Sequence, residues 1–148
     1  MRYLLVILIL ASCQNKLKDN YEKASVNTCT ETEKYTNLIS KSVNLPKLQQ
    51  YYKVQDNFNQ KELVILNNNK HLNKIVDKIK LNRPIKLLDS SRIRQDAIKA
   101  FIEFKEINIK NDTANIYYRY DVQGIGIKSS YYLKDCEWHL IKSHLWEN

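Results

Sequence analysis

Three histidines, three cysteines and sixteen carboxylates are the side chains with which this chain could do chemistry, and their spacing limits what they can do. His139 and His144 are five apart on an expected strand, and an odd offset sends two side chains to opposite faces, so they cannot share a metal without a bulge. Cys29, Cys136 and His139 are of zinc-binding type, but no CxxC or HxxxH spacing brings them together, and His71 stands alone. No nucleophile elbow, phosphate-cradling glycine loop or HExxH sequence occurs. Gly124-Ile125-Gly126 lacks the third glycine and the helix of a dinucleotide site and reads as a turn. Glu103, Glu106, Glu137 and Glu147 read as solvated strand faces. The expectation is a protein without metal, cofactor or catalytic residues.

What remains is aromatic. Tyr117-Tyr118, Tyr120 and Tyr131-Tyr132 place rings on both faces of adjacent expected strands. One face must be core, and rings on the other can simply shield cross-strand neighbours. Joined by Trp138 and Trp146 and interleaved with Arg119 and Lys128, they can instead make a contact surface, because Tyr, Trp and Arg dominate binding hot spots. The candidate interaction face is therefore Tyr117, Arg119, Tyr132, Trp138 and Trp146, weighed against plain edge-of-core aromatics.

The elements that would position these residues follow from period and punctuation. Thr30-Glu31-Thr32-Glu33 fits a capping box and starts a helix over 31–43, with Pro46 preventing continuation. Tyr51-Tyr52 and Val54 could be a strand, with a turn at Asn57-Phe58-Asn59. Residues 62–66 read as a buried strand; Leu72, Ile75, Val76 and Ile79 read as an amphipathic helix. A second short strand covers 85–88, and Asp89-Ser90-Ser91 caps a helix carrying Ile93, Ala97 and Phe101. From Phe101 the period falls to two, with a hairpin turn at Asn111-Asp112 and inward-facing Ala114, Ile116, Tyr118, Tyr120 and Val122. A third strand presents Ile125, Ile127, Tyr131 and Leu133 inward before a turn at 134–137, and a last strand runs from Trp138. The expected fold is α+β, a single domain over 30–148 in which a C-terminal four-stranded antiparallel meander packs on two or three short helices.

The first residues supply an address. Arg2, the apolar run from Tyr3 to Leu10 and the small pair Ala11-Ser12 have the parts of a secretory signal, and the run is shorter than the roughly 20 residues a membrane span needs. Leu10-Ala11-Ser12-Cys13 resembles the lipobox of bacterial lipoproteins. The resemblance implies a signal peptide over 1–12, acylation of Cys13, a lipidated tether over 13–29 and membrane lipid as the first partner. Several acyl chains, at about 0.8 kcal/mol per buried CH₂, anchor durably where one is marginal. Gln14 in place of Asp implies an outer membrane, on its periplasmic or surface side. With Cys13 committed to lipid, Cys29 and Cys136 are left as a candidate disulfide in an oxidising compartment, or as two free thiols.

The formal net charge is +8, one less without Arg2, and the lysines are spread rather than clustered. Such a charge favours an acidic protein or an anionic envelope component; nucleic acid is not expected for an exported chain. Helices followed by a curved meander resemble, in layout alone, the nuclear-transport-factor-2-like and cystatin-like folds, and the likeness carries over no functional residue. The function expected is an envelope-anchored, non-catalytic binding module, an inhibitor or immunity-type protein being one version. The alternative is a small-molecule or lipid carrier with a pocket between sheet and helices; a hydrolase stands third.

Overall fold

The computed structural model describes residues 29–56, 62–79, 81, 83–121 and 124–147. The expected signal peptide, Cys13, most of the tether, the turn at Asn57-Phe58-Asn59 and Val122 lie outside the described residues.

Helix α1, Glu31–Val43, begins where its local chemistry says it must. The Thr30 hydroxyl accepts from the Glu33 N–H at 3.2 Å, and the Glu33 carboxylate accepts from the Thr30 N–H at 2.9 Å, so each residue satisfies the other's orphan donor in the first turn. Its buried stripe, Leu38, Ile39, Ser42 and Val43, faces the sheet. Pro46 opens helix α2, Pro46–Asp56, rather than only closing α1, and Tyr51-Tyr52 and Val54 are helical instead of a strand. The reason is that the first helical position needs no N–H and favours the φ that proline already holds. Leu45, Leu48 and Tyr52 then fall at helical spacing and are all buried.

Strands β1 (Leu63–Leu66), β2 (Ile85–Leu88), β3 (Phe101–Lys110), β4 (Thr113–Tyr120), β5 (Ile125–Lys134) and β6 (Glu137–Glu147) form one sheet in the order β2-β1-β3-β4-β5-β6. The layout is α+β, but the sheet is six-stranded and mixed: β1 runs parallel to both β2 and β3, while β3 to β6 are antiparallel neighbours within it. The expected meander is thus part of a larger sheet. Parallel pairing left no trace in the local pattern because the ladder joining Val64 to Phe101 spans 37 residues of sequence.

Two crossovers connect the parallel strands, β1 to β2 through α3 (Leu72–Ile75) and a 3₁₀ turn (Val76–Lys78), and β2 to β3 through α4 (Ser90–Gln95). They step in opposite directions along the sheet, so right-handed connections must lie on opposite faces. Leu72, Ile75 and Ile79 accordingly join the main core with α1 and α2, while Ile93 of α4 is buried outside it, as is Val64. The amphipathic stripe expected over 72–79 is kept, but as one α-turn and one 3₁₀ turn. Helix α4 stops at Gln95 with Ala97 at φ 49°, so Ala97 and Phe101 are not on it; Phe101 is drawn into the ladder beside Val64.

Tyrosines pin the core. Tyr118 donates to the Ser42 carbonyl at 2.6 Å, which also accepts from the Leu45 N–H, and Tyr52 donates at 2.8 Å to the Val43 carbonyl, one of those in the last turn of α1 that lack an intrahelical partner. Burial pushes the phenols of Tyr118, Tyr52 and Tyr131 above their ordinary range. An unfolded tyrosine loses its proton near pH ~10, so the folded chain binds more protons there than the unfolded one. Stability is therefore fully present below about pH 10 and falls as the pH rises beyond it. Phenolate absorbance followed alongside circular dichroism should show Tyr118, Tyr52 and Tyr131 ionising only as the fold is lost. Ionisation of every tyrosine with the fold intact would contradict this packing.

Candidate functional site

Strict two-residue alternation of strand faces fails in one place, and the site depends on it. β6 carries an extra residue, Ile141, since Ser130 pairs with Lys142 while Tyr131 pairs with Leu140. Such a bulge reverses which parity points inward. Before it, Trp138 faces the core, opposite Leu133; it is fully buried, and its Nε1 donates to the Lys34 carbonyl of α1 at 2.8 Å. After it, Trp146 lies opposite Gly126 on the outer face. Trp138 therefore does not belong to the interaction face on which it was expected together with Trp146. His139 and His144, expected on opposite faces, share the outer one for the same reason, opposite Tyr132 and Lys128. Four residues of β5 separate those partners, about 13 Å, too far to chelate one ion. Among the described residues, no group of three or more His, Cys, Asp or Glu could hold a metal.

Helices α1 and α2 cover the inner face of β4–β6. The outward rows can be read across the three strands: Thr113–Tyr132–His139, Asn115–Ser130–Lys142, Tyr117–Lys128–His144 and Arg119–Gly126–Trp146. Of the expected face, Tyr117, Arg119, Tyr132 and Trp146 are brought together here. Within these rows stand Arg119, Lys128 and Lys142 and no carboxylate. Among the described residues, the large apolar side chains left exposed are Tyr132, Leu140 and Ile141, grouped around the bulge.

Gly126 shapes the surface. Trp146 leans over it so closely that a Cβ at residue 126 would overlap Cε2 and Cζ2 of the indole. The lean brings Trp146 within stacking range of Tyr117, two strands away, with centroids 5.7 Å apart and planes at 28°. His144 stacks on the indole from its own strand at 5.6 Å and 24°. Tyr132 and His139 form a second stacked pair at 4.9 Å. Beside this cluster the Nε of Arg119 is buried without a hydrogen-bond partner. Glu103, its neighbour across β3, is engaged by Lys105 at 2.6 Å. Gly126 and Lys142 have no signal in the sequence that would place them in the site. Lys142 needed the bulge, and Gly126 looked like turn chemistry when Gly124, at φ 62°, is the residue that makes the turn.

Cys29 and Cys136 are joined by a disulfide, with Cα atoms 5.6 Å apart. Cys136 sits in the two-residue turn between β5 and β6, so the bridge ties the chain just ahead of α1 to that hairpin. An open groove of about 310 Å³ runs along α1 beside the start of β6, lined by Asn37, Ser40, Lys41, Asn44, Glu137 and Trp138. It opens at the rim where α1 meets the first residues of β6, and most of the residues lining it are polar. No helix among the described residues is long and apolar enough to cross a membrane. The chain matches no protein-family model, no curated protein and no solved structure.

Proposed function

We propose that the chain is an envelope lipoprotein, held in the outer membrane through acylated Cys13, whose domain is a non-catalytic binding module. It docks an acidic component of the envelope through the outer face of β4–β6, the antiparallel portion of the sheet. An inhibitor or immunity-type protein acting on an acidic partner is the concrete form. The observation that carries the reading is the composition of that face: stacked Tyr117, Trp146 and His144, three cations, and no carboxylate among its four rows. Aromatic side chains and arginine supply most of the binding energy at protein interfaces. The carrier reading draws no support from the space between helices and sheet, where Leu38, Ile39, Leu48, Tyr118 and Tyr131 are packed to full burial.

Geometry favours the same use of the face. The Cys29–Cys136 bridge is at the hairpin end of β5 and β6, and the Arg119–Gly126–Trp146 row is eight residues from that end along β5, roughly 26 Å away. Sixteen residues from Cys13 to Cys29 reach at most about 55 Å, so the anchored domain can stand clear of the bilayer with that row pointing outward. The test is capture from detergent-solubilised envelopes by the full lipidated chain. A partner retained by the natural chain and lost with Tyr117→Ala/Arg119→Gln is the expected result. Cys13→Ser should meanwhile leave the membrane fraction. Equal capture by both chains ends the docking reading, and a membrane-bound Cys13→Ser chain ends the anchoring one.

A further inference from the structure

The three cations of the open face are not scattered. Arg119 lies on β4, Lys128 one strand over and one pair along on β5, and Lys142 one strand and one pair further on β6. Diagonal neighbours of this kind are about 7–8 Å apart, so the three heads fall on one oblique line across the sheet. In an extended chain, alternate residues on one side are about 6.6 Å apart. The line therefore has nearly the pitch of an extended segment that carries a carboxylate at every second residue.

We infer that this diagonal is a binding site for an extended acidic protein segment of the pattern acid-x-acid-x-acid, with Arg119 as its anchor. The inference rests on the docking reading above and names the ligand chemistry of that same face. Arg119 anchors because it is half-buried beside the Tyr117–Trp146 stack, where a carboxylate meeting the exposed part of its guanidinium is screened less than at the exposed lysines. Charge-assisted bonds to arginine are among the stronger ones, and the planar guanidinium edge matches a planar carboxylate. Lys128 and Lys142 are exposed and add less, since such pairs are screened by water and salt. On β3, Glu103 borders Arg119 and Glu106 borders Tyr117 from the other side, so the acidic edge adjoins the anchor, and Glu103 is the nearer. A single-charged carboxylate is repelled by it less than a phosphate dianion, and the even spacing suits discrete carboxylates better than a dense polyphosphate. Gly126 is a positioning residue: without a side chain it lets the indole lie down and wall the Arg119 site.

The chain reports on its own site. It has two tryptophans, Trp138 sealed in the core and Trp146 on the face, so a ligand-dependent change in fluorescence comes from Trp146. The full chain in a neutral detergent is titrated with two capped peptides of equal charge, Glu-Ser-Glu-Ser-Glu and Glu-Glu-Glu-Ser-Ser, and with inorganic tripolyphosphate. The alternating peptide should bind at least tenfold more tightly than the blocked one. Arg119→Gln should lose tenfold or more of that affinity, Lys128→Gln and Lys142→Gln a few-fold each, and Lys47→Gln, exposed on α2, nothing. Gly126→Ala should change Trp146 emission without ligand and weaken the alternating peptide several-fold. Equal affinity for the two peptides, equal losses at Arg119 and Lys47, or preferential binding of tripolyphosphate would each overturn the inference. If the two peptides bind equally while envelope capture still fails with Arg119→Gln, the docking face stands and its acidic-segment chemistry falls. Selective binding of the alternating peptide, with envelope capture indifferent to Arg119, supports the acidic-segment site and ends the docking reading instead.

Discussion

Trp138→Ala is expected to remove about 3–5 kcal/mol of folding stability, whereas Trp146→Ala should remove about 1 kcal/mol or less. The two residues belong to one strand, and simple alternation puts them on one face. Trp138 is enclosed against α1 and donates to the Lys34 carbonyl, so its loss leaves a large void and removes a second hydrogen bond from a helix carbonyl. Trp146 is half-buried, covers Gly126 and stacks on Tyr117 and His144, contacts typical of a surface pair. A domain of this size has about 5–15 kcal/mol in total, so the first substitution takes a large fraction of it. Urea unfolding followed by circular dichroism measures both, and binding to the acidic peptide, read by titration calorimetry because Trp146 is itself the fluorescent reporter, should reverse the order: near-complete loss for Trp146→Ala, and natural affinity for Trp138→Ala in whatever fraction remains folded. Similar midpoints for the two variants would mean that the face of β6 is misassigned.

The same contrast separates features with a local signature from features without one. Rules that act over three or four residues were readable. Thr30 and Glu33 announced the start of α1, Asn111-Asp112 announced a two-residue turn that Asn111 makes at φ 53°, and alternation over 114–120 gave the inward tyrosines. Proline punctuated correctly but ambiguously at Pro46, since the same rigid ring ends one helix and opens the next. Two further features have no local signature. The parallel ladder of β1 exists only because distant segments meet, and it took Phe101 away from the helix its spacing suggested. The bulges at Lys105 and Ile141 come from register, and each reverses the in–out code beyond it. One inserted residue, Ile141, accounts for placing Trp138 on the surface, for separating His139 from His144 and for leaving Lys142 out of the site. The candidate face was thus legible as far as the bulge, in Tyr117, Arg119 and Tyr132; past it only Trp146 was named.

Breaking the Cys29–Cys136 bridge should cost about 4–5 kcal/mol in the chain-entropy model, because it closes 107 residues of sequence and so restrains nearly the whole unfolded domain. The position of Cys136 allows the cross-link to be separated from its own backbone cost. Asp135 and Cys136 are the two central residues of the β5–β6 turn, at φ 50° and 63°, the left-handed pair that a type I′ hairpin requires. Aspartate tolerates that region and glycine prefers it, while cysteine costs on the order of 1 kcal/mol there. Cys29→Ser/Cys136→Ser should therefore lose the full cross-link contribution, and Cys29→Ser/Cys136→Gly about 1 kcal/mol less, since Asp-Gly is the favoured sequence for this turn. Neither change detaches α1, which keeps its capping box, the Trp138 bond to Lys34 and the bond from Asn37 Nδ2 to the Cys136 carbonyl at 3.1 Å. The expected outcome is a lower urea midpoint with similar folded-state circular dichroism, identical for the serine pair and the reduced natural chain. Losses below about 1 kcal/mol in both variants would show that the unfolded chain is already held compact without the bridge. A glycine variant no more stable than the serine one would rule out strain in the left-handed turn and leave the cross-link alone to explain the loss.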